Sequence, residues 1–162
     1  MDSQAFTLFH VALSLIGILS GLIVLYGLLT ANRMAGMTAI FLITTAATSV
    51  TGFFFQRDHI LPSHITGIVA LIAMIPTLYA LYAKHLGGFW RAVYVIGAVI
   101  SLYLNVFVLV VQLFLKVPAL HALAPNAPAV PDPPFATTQA VVLVAFIVLG
   151  FLAVRRFHPA TR

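Results

Sequence analysis

Cysteine is absent from this chain of 162 residues, acidic residues number three, and charged residues of both signs make up 7%. Without thiols there are no disulfides, no thiolate metal sites and no cysteine nucleophile, and cysteine usage says nothing of the redox compartment. So little charge lies far below the roughly one quarter typical of soluble domains. No apolar run carries a charged residue near its centre, so an electrogenic pump, a voltage sensor or an intramembrane proton relay has no hardware. The chain also lacks a nucleophile elbow, a Gly-rich phosphate loop, an HExxH pair and any internal repeat. Hydrolase, kinase and zincin mechanisms are without motif support, and the reading leans away from an enzyme.

What is present is hydrophobic: 62% of the residues. Apolar runs cover residues 6–30, 37–55, 64–86, 89–116 and 135–154. A helix rises about 1.5 Å per residue and a bilayer core is about 30 Å thick, so each run is read as a spanning helix. The expectation is an all-α, polytopic transmembrane bundle of five helices forming one domain over residues 1–162. The first run does not read as a cleaved signal peptide, because Asp2 stands where a basic region belongs and no small-residue cleavage site follows. Pro76 should bend the third helix, since it removes a backbone donor. Between Val117 and Pro134 stand Pro118, Pro125, Pro128, Pro131, Pro133 and Pro134. That density predicts an extended, polyproline-like loop outside the hydrocarbon, serving as a spacer, a lid or a docking strip.

Polar residues in these runs fall on faces. Tyr94, Ser101, Asn105, Gln112 and Lys116 recur at spacings of seven and four, which places them on one side of the fourth helix. An amide at the depth of Asn105 needs a partner, so this stripe should face other helices. It serves either as an interhelical polar contact or as a handle for a quinone or lipid head group. His10, Ser14, Gly17 and Gly21 share a face of the first helix, and Gly17-x-x-x-Gly21 permits close helix approach. Thr66, Ala70, Ala73, Thr77 and Ala80 make a similar stripe on the third. The hydroxyls of the second run, Thr44, Thr45, Thr48, Ser49 and Thr51, are expected to bond back to carbonyls four residues earlier or to a neighbouring helix.

Five spans put the termini on opposite sides, and the charges then sort. Arg33, Lys84, Arg91, Arg155, Arg156 and Arg162 share one side, while Arg57, Lys116, Asp2, Asp58 and Asp132 share the other. The positive-inside rule places the amino terminus outside and the carboxyl terminus in the cytoplasm. Tyr26, Tyr79, Tyr82, Trp90 and Tyr94 gather toward the basic ends like an interfacial belt. The net charge of +5 therefore reports topology and contact with anionic membrane lipids, not nucleic acid.

The topology also gathers His10, Asp58, His59, His64 and His121 on the outer side, and imidazole and carboxylate ligands suit haem iron or a transition metal. His10, His64 and His121 are the candidate cofactor ligands, and Asp58 and His59 the candidate metal ligands. The segment from Ser101 to Leu120, SLYLNVFVLVVQLFLKVPAL, together with Leu61-Pro62-Ser63-His64, resembles a family of short, uncharacterised bacterial integral membrane proteins. That resemblance implies a bacterial inner membrane and no activity. The reading that follows is a small accessory or interaction subunit, joined in a homo- or hetero-oligomer. Its alternatives are a haem- or metal-binding redox protein and a quinone- or lipid-binding bundle.

Overall fold

The computed structural model describes residues 4–55 and 62–159. Six α-helices follow one another: α1 (Gln4–Leu29), α2 (Ala35–Gly52), α3 (Pro62–Leu78), α4 (Phe89–Lys116), α5 (Pro118–Leu123) and α6 (Pro133–Arg156). Five of them, all but the short α5, are long and apolar enough to cross a membrane, and the described residues contain no strand. The all-α, five-span architecture expected from the apolar runs is thus the observed one, with helix ends displaced by at most three residues once the π-helical turn that carries α3 on to Ala83 is counted. Asp58 and His59 lie outside the described residues.

Helix α1 packs on α2, α2 on α3, α3 on α4, and α4 returns to α1. These four form a ring in which α2 and α4 stand diagonally, and α6 leans on the outside against α4 and α1. Short connections between consecutive helices enforce the antiparallel neighbours. At the end of α1, Ala31 takes a left-handed φ of 56° and the Asn32 N–H bonds back to the Gly27 carbonyl at 2.8 Å, a cap that reverses the chain.

Lipid offers no hydrophobic drive for one helix to choose another, so close fit decides which faces meet. The closest fit is between α3 and α4. A Cβ on Gly97 would collide with Thr77 Oγ1 and stand 3.3 Å from the Ala73 carbonyl. The expected small-residue stripe of α3 lies at this contact, with Ala70, Thr77 and Ala80 buried. Across the ring, Phe41 of α2 and Leu102 of α4, each 1% exposed, close over Gly21 of α1. Helix α3 runs through Pro76 and widens into a π-helical turn at Tyr79–Ala83, where the Lys84 N–H bonds to the Tyr79 carbonyl five residues back. Such turns collect where the regular ladder has been disturbed.

The proline-rich segment departs from the extended loop expected of it. Pro118 occupies the first turn of α5, where a missing N–H costs nothing, and Pro133 and Pro134 open α6 for the same reason. Between them Ala124 and Ala127 are buried against Val110, Phe114 and Phe135. The Asp132 carboxylate accepts the Asn126 backbone N–H at 2.9 Å and its side-chain amide at 3.3 Å, which ties the segment to the start of α6. At the other end of the molecule Arg91 of α4 donates to the carbonyls of Val154 and Phe157, at 2.7 and 2.6 Å. It thereby caps the carboxyl end of α6 with the charge that end favours.

Candidate functional site

The polar stripe of α4 faces diagonally across the ring toward α2. Asn105 Nδ2 donates to Thr45 Oγ1 at 3.0 Å, and Thr45 is wholly buried. Gly17 of α1 makes room for this contact, since a Cβ there would lie 3.2 to 3.7 Å from Thr44 Oγ1, Thr45 Oγ1 and Asn105 Nδ2. Three turns of α4 toward the basic end, the hydroxyls of Tyr94 and Thr38 meet at 3.3 Å. Ser101 Oγ, between the two pairs, is wholly buried and has no hydrogen-bond partner among the described residues, and Thr48 Oγ1 is in the same state. Gln112 is half-buried and Lys116 exposed at the end of α4. Of the α2 hydroxyls, those of Thr44 and Thr51 bond back to the carbonyls of Ile40 and Ala47, both at 2.7 Å, as expected of hydroxyls in apolar helices.

At the end where α1 begins, two histidines are held by α2 and its exit. His10 Nδ1 lies 2.8 Å from Thr51 Oγ1, and its ring meets Phe55 edge-on at 5.0 Å. Because the single Thr51 hydroxyl proton can serve Ala47 or His10 but not both at once, the Thr51 bond to Ala47 makes Nδ1 the donor to Thr51. Lys116 is near enough to act on His10 electrostatically. His64 stacks on Phe53 with ring centres 6.0 Å apart. His121 is exposed on α5. Among the described residues no group of three or more His, Asp or Glu side chains is gathered as a metal site.

The basic end carries a feature that the sequence reading passed over. A cleft of about 140 Å³ opens between the α1–α2 turn, the π-helical end of α3 and the start of α4, with Arg33, Tyr82 and His85 around it and the Thr38–Tyr94 pair in its wall. From the sequence Arg33 is expected only as one charge of the basic side. The signal available is that the charge sorting groups no acidic residue with it. On the outside of the ring, α4 and α6 leave a larger groove, about 400 Å³, walled by Ile96, Ile100 and Tyr103 on one side and Leu143, Phe146 and Ile147 on the other. Tyr103 meets Phe146 there with the rings tilted and their centres 5.7 Å apart.

The arrangement offers a hydrogen-bonded interior, an apolar outer groove and a cationic cleft. No protein-family model, no curated protein and no solved structure matches this chain.

Proposed function

We propose that the protein is a non-enzymatic interaction subunit of a membrane assembly and that the α4–α6 groove is the face it offers to a partner helix. The observation that carries this reading is α6 itself. Over 24 residues it buries only Phe135 and Ala153, yet it leaves beside α4 a groove floored by Gly150. In lipid, helices pair by close packing of complementary surfaces, and a groove walled by Ile96, Ile100, Leu143 and Ile147 is a seat into which the side chains of another apolar helix fit. The outward amino terminus, supported by the sorting of Lys and Arg, belongs to the same proposal, as do the bacterial inner membrane and the kinship with short bacterial membrane proteins, supported by the resemblance of residues 101–120 and 61–64. Mass determination in mild detergent tests it. The expected result is a defined oligomer or a stoichiometric complex that Ile100→Trp together with Ile147→Trp dissociates, with helix content unchanged. A strictly single-chain particle, with no stoichiometric partner from native membranes, overturns it.

Tyr103 favours a second reading, in which the groove holds the tail of a quinone or lipid beside its one phenol. Asn105, bonded to Thr45, is turned toward α2 rather than to this groove. Ligand-dependent stabilisation that Tyr103→Phe removes supports the second reading, because binding to the folded state alone raises stability by mass action. The redox alternative through His10, His64, His121, Asp58 and His59 is tested by an absorption spectrum and metal analysis after expression with haem and metal supplied.

A further inference from the structure

We propose that the cleft at the basic end is a phosphate site that takes the head group of an anionic membrane lipid. The inference is independent of the partner-helix reading and rests on the fate of the cations at this end. Arg91 is spent on the carbonyls that close α6. Lys84 sits over the rings of Tyr79 and Trp90, at 5.5 and 5.9 Å, and Arg155 over Phe151 at 4.6 Å. The Arg33 guanidinium, at the cleft, has no hydrogen bond or ion pair among the described residues, its backbone carbonyl alone accepting the Ala35 N–H at 3.0 Å. Among the described residues the one acid, Asp132, is committed to Asn126 at the opposite end of the bundle, so none of them supplies a counter-ion. An anion from outside the chain fits the cleft.

The walls of the cleft select its chemistry. The Arg33 guanidinium presents a planar fork of N–H donors that matches two oxygens of a phosphate. His85 and Tyr82 add an imidazole and a phenol at the mouth, and the wall adds the Thr38–Tyr94 pair, of which Tyr94 is 3% exposed. Two hydroxyls carry two protons and their mutual contact at 3.3 Å uses one, so the pair retains a donor for an oxygen in the cleft. The backbone is shaped to hold this wall. His85 and Leu86 both take left-handed φ, 49° and 60°, a conformation that costs non-glycine residues energy and persists only where surroundings impose it. Here the Leu86 N–H is anchored to the Ala80 carbonyl at 3.0 Å and its side chain is buried, which leaves His85 on the rim. A volume of about 140 Å³ admits a phosphate group and little more. The belt of Tyr79, Tyr82 and Trp90 sets the cleft at head-group depth, where a phosphate arrives on a lipid.

The test uses the full chain in nanodiscs of phosphatidylcholine alone or with phosphatidylglycerol, read by thermal melting and by native mass spectrometry of retained lipid. Arg33→Gln is compared with Arg156→Gln, which removes the same charge from the same end outside the cleft. The expected result is a phosphatidylglycerol-dependent rise in melting temperature and one retained phosphatidylglycerol, both kept by Arg156→Gln and both lost by Arg33→Gln. His85→Ala is the second variant, expected to weaken retention severalfold, should Arg33→Gln fold poorly. Equal responses of the two arginine variants overturn the site. Full protection by millimolar inorganic phosphate in phosphatidylcholine discs overturns the lipid as the source of the anion.

Discussion

The most apolar stretches of helices α4 and α6 have the same mean hydropathy, 2.4, and nearly opposite surroundings. In α4, 44% of the most apolar window is buried in the bundle, and in α6 only 6%. A hydropathy profile cannot separate them, because transfer into lipid and transfer into the bundle reward the same atoms. What separates them is shape and polarity. Helix α4 carries Gly97 where α3 must come close and Asn105 where α2 can receive a hydrogen bond. Helix α6 offers one half-buried amide, Gln139, whose Nε2 reaches the Phe107 carbonyl at 3.2 Å while its Oε1 is buried without a partner. Position inside a membrane bundle therefore follows from a few small and polar residues, and the long aliphatic stretches follow wherever those place the helix.

The contrast can be broken most severely at Gly97. Gly97→Val should cost about 1 to 3 kcal/mol or prevent folding, since overpacking forces backbones apart. Gly150→Ala on α6, where Val99 Cγ1 lies 3.2 Å from the added atom, should change the unfolding midpoint little. Denaturant titration in detergent reads both, and equal effects would erase the distinction between the helices. Next in size is Asn105→Leu, expected to lower stability by about 0.6 to 2 kcal/mol, the range of interhelical hydrogen bonds in membranes. Added quinone should not restore it, and a quinone-dependent melting shift in the normal protein that this substitution abolishes would make Asn105 a ligand contact. One turn away, Ser101→Ala should be neutral or stabilising by up to about 1 kcal/mol, because the hydroxyl is buried unpaired and its removal ends a desolvation penalty. A clear loss in the same melting assay would mean that Ser101 has a partner. The smallest change is Val148→Leu on the exposed face of α6, expected within about 0.5 kcal/mol. A larger loss would show that this face is packed.

The stripe of α4 was legible as a stripe, since helical spacing is a property of the chain. Its partners were not. Tyr94, Ser101 and Asn105 share one stripe in sequence, yet one pairs with Thr38, one is buried without a partner among the described residues and one pairs with Thr45, because a bond forms only where α2 sets a hydroxyl within reach. The histidines show the same division: topology brings His10 and His64 to one end, but their bonds to Thr51 and stacking on Phe53 depend on where α2 ends. The proline segment misled because proline density speaks against helix interiors and is silent about first turns, where Pro118, Pro133 and Pro134 sit. Arg33 reads as one more charge of the basic side until the π-helical turn and the left-handed residues fold a wall beside it.

By itself the sequence determined the class of solvent, the number of spans and the sorting of charge between the two ends, because length, hydropathy and Lys/Arg counts are sums over the chain that no packing can alter. Only the tertiary structure decided which helix lies inside, that α2 and α4 face each other across a ring, and which polar atoms find partners. Those outcomes depend on contacts of a few ångströms between residues some sixty positions apart, such as Asn105 and Thr45, and in lipid such contacts, not hydrophobicity, choose among the possible bundles.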